Sequence, residues 1–423
     1  MHHHAHGHSS GHREEIPART RRLLTLVTVP LVLLTLLGFL LLWPRTKPEL
    51  SQAIELPTDL YNGTVTAINA VPCPGLEDEG LDCSVAEVRL TQGPNEGDIV
   101  AFEVADPNAV RTVREGSRIV VARTQTAPGV YAYDFADVQR AAPMAVLALI
   151  FAAVVIALGR LRGIAALVGI GVSLGILVQF VLPAILAGRN PLAVAIVGSA
   201  GVMFISLYLA HGVNVRTTSA VLGTLASLTI TALLALAFVQ LTQLTGFASE
   251  ESTYIRVASE NINLRGILLG GIIIGSLGVL DDVTVTQASA VWELHLANPA
   301  LKAIELYRAA IRIGRDHIAS TVNTLVLAYA GAALPLLILF TISEARLGDV
   351  LTGEVIAEEV VRTLVGSIGL VASVPITTGL AALVVTAPGD PGPPAKARLR
   401  KADRFRKEPT DPVSEQDSFW DER

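Results

Sequence analysis

Gly266-Ile-Leu-Leu-Gly270-Gly271-Ile-Ile-Ile-Gly275-Ser-Leu-Gly278-Val-Leu-Asp281-Asp282-Val-Thr284-Val-Thr286-Gln287 is an apolar, glycine-laced run that ends in two adjacent carboxylates. It continues to Trp292-Glu293, and apolar sequence resumes through Gly314-Arg315-Asp316-His317-Ile-Ala-Ser320-Thr-Val-Asn323-Thr324. Carboxylates, amides and hydroxyls beside apolar helices are costly unless paired or wet. Their concentration between Gly266 and Pro335 marks this stretch as the expected functional core.

Composition agrees with a membrane setting. Of 423 residues, 51% are hydrophobic and 17% charged, against about 25% charged in soluble chains. Apolar runs of about 18 or more residues recur, long enough to span a bilayer. The expected fold is mostly α, a polytopic membrane protein of about eight helices. Spans are expected at 23–43, 141–159, 163–182, 192–210, 218–241, 266–280, 318–342 and 363–385. The first is read as an uncleaved anchor. Its apolar run exceeds the 7–15 residues of a signal peptide, and Leu41-Leu42-Trp43-Pro44 lacks a small-residue cleavage site.

The chain divides into a His- and Arg-rich tail (1–22), the anchor (23–43), an outer domain (45–140), a seven-helix membrane domain (141–385) and a tail without fixed structure (386–423). The outer domain shows strand alternation in five segments: 61–69, 84–91, 98–104, 117–123 and 131–138. Five short strands suggest a small barrel of the oligonucleotide/oligosaccharide-binding type. Cys73 and Cys83 flank an acidic loop in this domain, and outside the membrane they are expected to form a disulfide. Carboxylates in that loop are compatible with a cation, but a solvated hairpin tip is the plainer reading. The irregular His cluster at residues 2–8 leaves metal binding open in the same way.

Basic residues set the orientation. With the N-terminus inside, the short outer loops carry only Arg189, Arg256, Arg265, Arg346 and Arg362. The basic C-terminal tail, Arg160, Arg162 and Arg308 to Arg315 then lie inside. Both termini are therefore expected in the cytoplasm, with the β domain outside. Membrane lipid is the expected surrounding partner.

Two readings of Asp281 and Asp282 stand side by side. One is a cap for a new interfacial helix after the span ends. The other is a broken span whose carboxylates line a cavity, as in transporters with discontinuous helices. On one continuous helix, Asp282, Thr286, Ser289 and Glu293 make a polar stripe. Arg312, Asp316, Ser320 and Asn323 make a second stripe. Pro335 predicts a kink. Residues 300–313 read as an amphipathic cytoplasmic helix, and residues 344–362 as a surface segment with Glu354, Glu358 and Glu359 outward. His211 at the inner end of the fourth span is suited to carry protons, although an interfacial His is commonly just that.

The runs Leu-Gly278-Val-Leu-Asp281-Asp282-Val-Thr-Val-Thr286-Gln287, Trp292-Glu293-Leu and Gly314-Arg315-Asp316-His317-Ile-Ala-Ser320-Thr-Val-Asn323-Thr324-Leu resemble the YibE/F-like membrane proteins. Leu209-Ala-His211-Gly and Val365-Gly-Ser-Ile-Gly-Leu are similar as well. The resemblance spans roughly residues 140–385. It implies a bacterial plasma-membrane protein and supplies no substrate.

The residues themselves point to a permease or transport-related protein. Asp281, Asp282, Thr286, Gln287 and Asn323 would line a substrate or ion pathway. Arg315, Asp316 and His317 would form a gate or charge cluster at the cytoplasmic mouth, with Arg315 pairing the two aspartates. The alternative is a non-transporting envelope component that binds a partner, or a second copy, through its outer domain. Enzymatic function is not expected: no GxxxxGK[ST], HExxH or CxxC occurs. No cofactor and no nucleic-acid partner is expected either.

Overall fold

The computed structural model describes residues 17–45, 59–72, 82–104, 113–258, 262–342 and 346–387. Helix α1 covers Ala18–Leu42. A five-stranded antiparallel sheet follows: β1 Asp59–Pro72, β2 Asp82–Leu90, β3 Ile99–Val104, β4 Arg118–Ala127 and β5 Val130–Val138. The remaining elements are helical: α2 Ala141–Ile176, a π-helical turn Leu177–Val181 and α3 Leu182–Leu186. Next come α4 Pro191–His211, α5 Val215–Leu241, α6 Glu250–Ala258 and α7 Leu264–Ala297. The chain ends with α8 Ala303–Ala332, α9 Leu334–Ile342, α10 Leu347–Thr352 and α11 Glu354–Val385.

The sheet order is β3-β2-β1-β4-β5, and it curls until β3 approaches β5. Alternation in the sequence put Val65, Val88, Val121 and Ile119 on one face, and these form its core with Phe102. The five expected strands are thus present, within a few residues of the expected bounds. Cys73 and loop residues 74–81, and with them the expected Cys73–Cys83 disulfide, lie outside the described residues, as do the N-terminal His cluster and residues 388–423.

Six helices are long and apolar enough to cross a membrane, or seven if the bent pair α8–α9 is one span. The second and third expected spans share one stretch, Ala141–Leu186. Arg160 breaks it, at φ 52° and ψ −129°. The backbone turns so sharply there that a Cβ on Gly163 would strike the Val155 carbonyl eight residues back. A straight helix would hold those residues about 12 Å apart.

Three long helices start where an asparagine can satisfy a free N–H. Asn190 accepts from Ala193 N at 3.1 Å, Asn214 from Thr217 N at 2.8 Å and Asn263 from Gly266 N at 3.0 Å. Helix α7 is central and packs on α4, α5, α8 and α11. Its Ile273, Leu277, Leu280 and Val283 are buried against Met203, Val221, Leu370 and Val374. The glycines contribute unequally. Gly270 lies against Ala195 and Gly266 against Pro191, whereas Gly271 and Gly278 face open space.

Several expectations are corrected. Helix α7 neither breaks nor restarts at Asp281 and Asp282; it runs unbroken to Ala297. Both the broken-span and the cap readings fall, because Val283, Val291 and Trp292 keep the same helix buried past the carboxylates. Residues 300–313 are no separate surface helix. From Ala303 they open the long helix α8, whose Leu306 and Ala310 are buried against Val291, Trp292 and Ala381. Residues from Glu354 onward belong to α11, and Glu354, Glu358 and Glu359 are partly buried rather than outward. The kink at Pro335 is present: α8 and α9 meet at 62°.

Candidate functional site

Asp281 leaves α7 on the side facing α4. One carboxylate oxygen accepts from Ser206 Oγ at 3.3 Å. The other, Oδ1, is buried and has no hydrogen-bond partner. The adjacent Asp282 points elsewhere and is exposed. One helical residue is about 100° of rotation, so neighbours in sequence cannot share a face.

Asp281 opens into a cavity of about 420 Å³ between the second half of α2, the π-helical turn, α4 and α7. Most of its wall is apolar, including Ile170, Leu177, Val202 and Leu277. Its polar points are Ser173, Ser199, Ser206, His211 and Asp281. Ser199 is 1% exposed, and its hydroxyl has no partner. Gly169, Gly198 and Gly278 belong to the lining, and Gly198 lets Val181 of the π-helical turn pack close against α4. The π-helical turn supplies Leu177 and Val181. Such turns are frequent at functional sites. Ser173 stands in Gly171-Val-Ser173-Leu-Gly175, the spelling of a hydrolase nucleophile elbow. Here it lies in mid-helix and donates to the Gly169 carbonyl at 2.8 Å, so the strand-to-helix turn that gives the motif its chemistry is missing.

The other residues expected at the site are not gathered there. Gln287 is buried on α7 but donates to the Ala310 carbonyl of α8 at 2.9 Å. It also lies beside Gly314, where a side chain would collide with it. Its amide therefore joins α7 to α8. Thr286 and Asn323 are exposed, as are Arg312, Arg315, Asp316 and Ser320. The second polar stripe thus lies on the outer face of α8, away from the bundle. Helices α7 and α8 are antiparallel neighbours: Gln287 meets Ala310, and a Cβ on Gly275 would lie 3.6 Å from Tyr329 Oη. Among the described residues, no ion pair links Arg315 to Asp281 or Asp282, or Arg312 to Asp316. His317 is half-buried with its Nε2 unpartnered. Among the described residues, no group of three or more His, Cys, Asp or Glu is placed to hold a metal.

Sequence reasoning missed Ser199 and Ser206. A signal was present: they sit seven residues apart on α4, two turns on one face, flanked by Gly198 and Gly201. The structure adds His211, at the C-terminal end of α4, to the lining of the Asp281 cavity.

A family model described as YibE/F-like protein matches residues 147–387, more than half of the chain. No curated protein and no solved structure matches it. The matched segment contains the whole Asp281 cavity together with the Asp-Asp and Arg-Asp-His motifs, and the chain belongs to the YibE/F-like family.

Proposed function

We propose that this protein is a transport-related permease of the bacterial plasma membrane, with Asp281 as the polar contact on its pathway. The observation that carries the reading is a carboxylate oxygen buried without a partner in a walled cavity between membrane-length helices. A polar group in hydrocarbon is expensive, and such groups mark substrate and ion pathways by default. Asp282, Thr286 and Asn323 serve the surface in this reading, and Gln287 fixes α7 to α8.

The topology that goes with it has eight crossings and both termini in the cytoplasm. Ala141–Leu186 holds 46 residues, about 69 Å as one helix, twice what a bilayer core of about 30 Å accommodates. The kink at Arg160 supports reading it as two crossings.

A second reading concerns the outer domain. The curled five-stranded antiparallel sheet, with β3 approaching β5, supports reading this domain as a small barrel of the oligonucleotide/oligosaccharide-binding type. Tyr131 is 41% exposed and stacks on Arg123 at 3.8 Å. This surface would bind an envelope partner or a second copy, with the helices as anchor.

Vesicle uptake separates the two. Vesicles carrying the wild-type chain should take up members of a labelled panel of amines, amino acids and sugars faster than empty vesicles. Asp281→Asn should lose that uptake while keeping its elution volume. No excess uptake of any compound would overturn the transport reading and leave the anchor.

A further inference from the structure

We propose that the Asp281 cavity binds an amphipathic organic monocation, whose charge pairs with Asp281 Oδ1 and whose apolar body fills the wall of α2. The proposal rests on the transport reading only in taking this cavity as the ligand site.

Charge complementarity comes first. The cavity lining contains one acidic side chain and neither Lys nor Arg. Ser206 bonds one carboxylate oxygen, and the other has nothing. A carboxyl held away from water keeps its charge only with an opposite charge close by, and otherwise takes up a proton. Among the described residues the protein does not provide one to Asp281. An anionic ligand would add a second negative charge to this wall. A cation completes it.

Oxygen supply decides against a divalent metal. Ca²⁺ takes about six to eight oxygens, and Mg²⁺ needs close to an octahedral set. The cavity offers one carboxylate and scattered hydroxyls. Ser199 and Ser206 are two helical turns apart, about 10.5 Å along α4. That spacing does not wrap a bare ion, but it suits an elongated molecule with its charge at Asp281 and its body toward Ser199.

The walls decide the rest. A volume of about 420 Å³ lies within the roughly 300–1,000 Å³ of small-molecule sites. Ile170 and Leu174 line the cavity and are 48% and 58% exposed on the flank of α2. The cavity therefore opens sideways between helices. An amphipathic solute reaches it from the bilayer without crossing the packed core.

Equilibrium dialysis of the full-length protein in lipid nanodiscs tests this. The probe is labelled benzyltrimethylammonium, compared with its uncharged isostere neopentylbenzene and with the anion phenylacetate, each corrected for empty nanodiscs. The cation should bind in preference to both. Asp281→Asn should weaken cation binding about tenfold or more, as expected when one partner of a desolvated charge pair is lost. Glu293→Gln, exposed elsewhere on α7, should bind as wild type. Leu174→Trp should fill the cavity and reduce binding of the cation, which keeps the test informative if Asp281→Asn folds poorly. Equal binding of the cation and the uncharged isostere would mean an acyl-chain pocket and overturn the proposal. So would cation binding insensitive to both Asp281→Asn and Leu174→Trp. Binding without vesicle uptake would retain this site and remove the transport reading. Uptake without cation binding would do the reverse.

Discussion

Thr284 on α7 and Thr224 on α5 share a hydroxyl hydrogen bond of 2.6 Å, and both are fully buried. Each hydroxyl also has a backbone carbonyl in reach: Thr224 at Ala220 O, 3.0 Å, and Thr284 at Asp281 O, 3.1 Å. A single Thr→Val change thus leaves its partner with an acceptor. Thr284→Val should cost about 1 kcal/mol or less. The double change Thr224→Val with Thr284→Val should cost no more than the sum of the two, as read from melting temperatures in detergent. A loss several times larger would mean the pair organises more than one contact. Asp281 should behave in the opposite way. Its burial is incompletely compensated, so Asp281→Asn should melt at the same temperature as wild type or higher, while losing function. A clear fall in melting temperature would reassign Asp281 to a structural role. Sites kept for function commonly sacrifice stability in this manner.

Between elements, packing is set by glycine against threonine. A Cβ on Gly369 of α11 would collide with Thr231 of α5, and one on Gly223 of α5 would collide with Thr377 of α11. The two contacts are reciprocal and bring the backbones of α5 and α11 together, as small residues do in membrane helices. Gly369→Ala should therefore destabilise by about 1–3 kcal/mol, the usual cost of overpacking. Adding Thr231→Ala should recover most of the loss. Failure of that rescue in thermal unfolding would show that the collision is not the cause. At the end of the bundle where α11 begins, Glu354 holds the turn after α5. Its carboxylate accepts from Thr245 Oγ1 at 2.6 Å, from Gly246 N at 3.2 Å and from Thr245 N. The turn needs Gly246 at φ 81°, where a side chain would meet the Leu264 backbone. Glu354→Ala should free residues 244–247 and raise their amide hydrogen exchange by about tenfold. Helix α5 itself should stay protected. Unchanged exchange in the turn would mean that Arg265, which donates to the Leu244 carbonyl at 2.9 Å, suffices.

For the whole molecule, the proposal to test is topology. Ser252 on α6 and Ala303 at the start of α8 are separated by the full length of α7, 34 residues or about 51 Å. That exceeds a bilayer core of about 30 Å, so the two must lie on opposite sides if α7 crosses. In a chain lacking Cys73 and Cys83, Ser252→Cys should react in intact cells with a membrane-impermeant thiol reagent. Ala303→Cys should react only after lysis. The inverse pattern would turn the protein over and place the β domain inside.

Much of this architecture was legible in the linear chain. Apolar length alone marks membrane helices, because a bilayer offers the backbone no hydrogen-bond partner. Period-two alternation marked the five strands, and Pro335 its kink, since both are local properties. Asp281 could be recognised as costly but not placed. The sequence presents Asp281 and Asp282 as a pair, whereas the helix sends one toward Ser206 and the other outward. Whether α7 stopped at the carboxylates depended on what covered Val291 and Trp292, namely Leu306, Ala310 and Ala381 from α8 and α11. The cavity is less local still. Its walls come from α2, α4 and α7, more than 100 residues apart in the chain. No window of sequence contains Ser206 and Asp281 together, and only the packing of α4 on α7 brings that hydroxyl to that carboxylate.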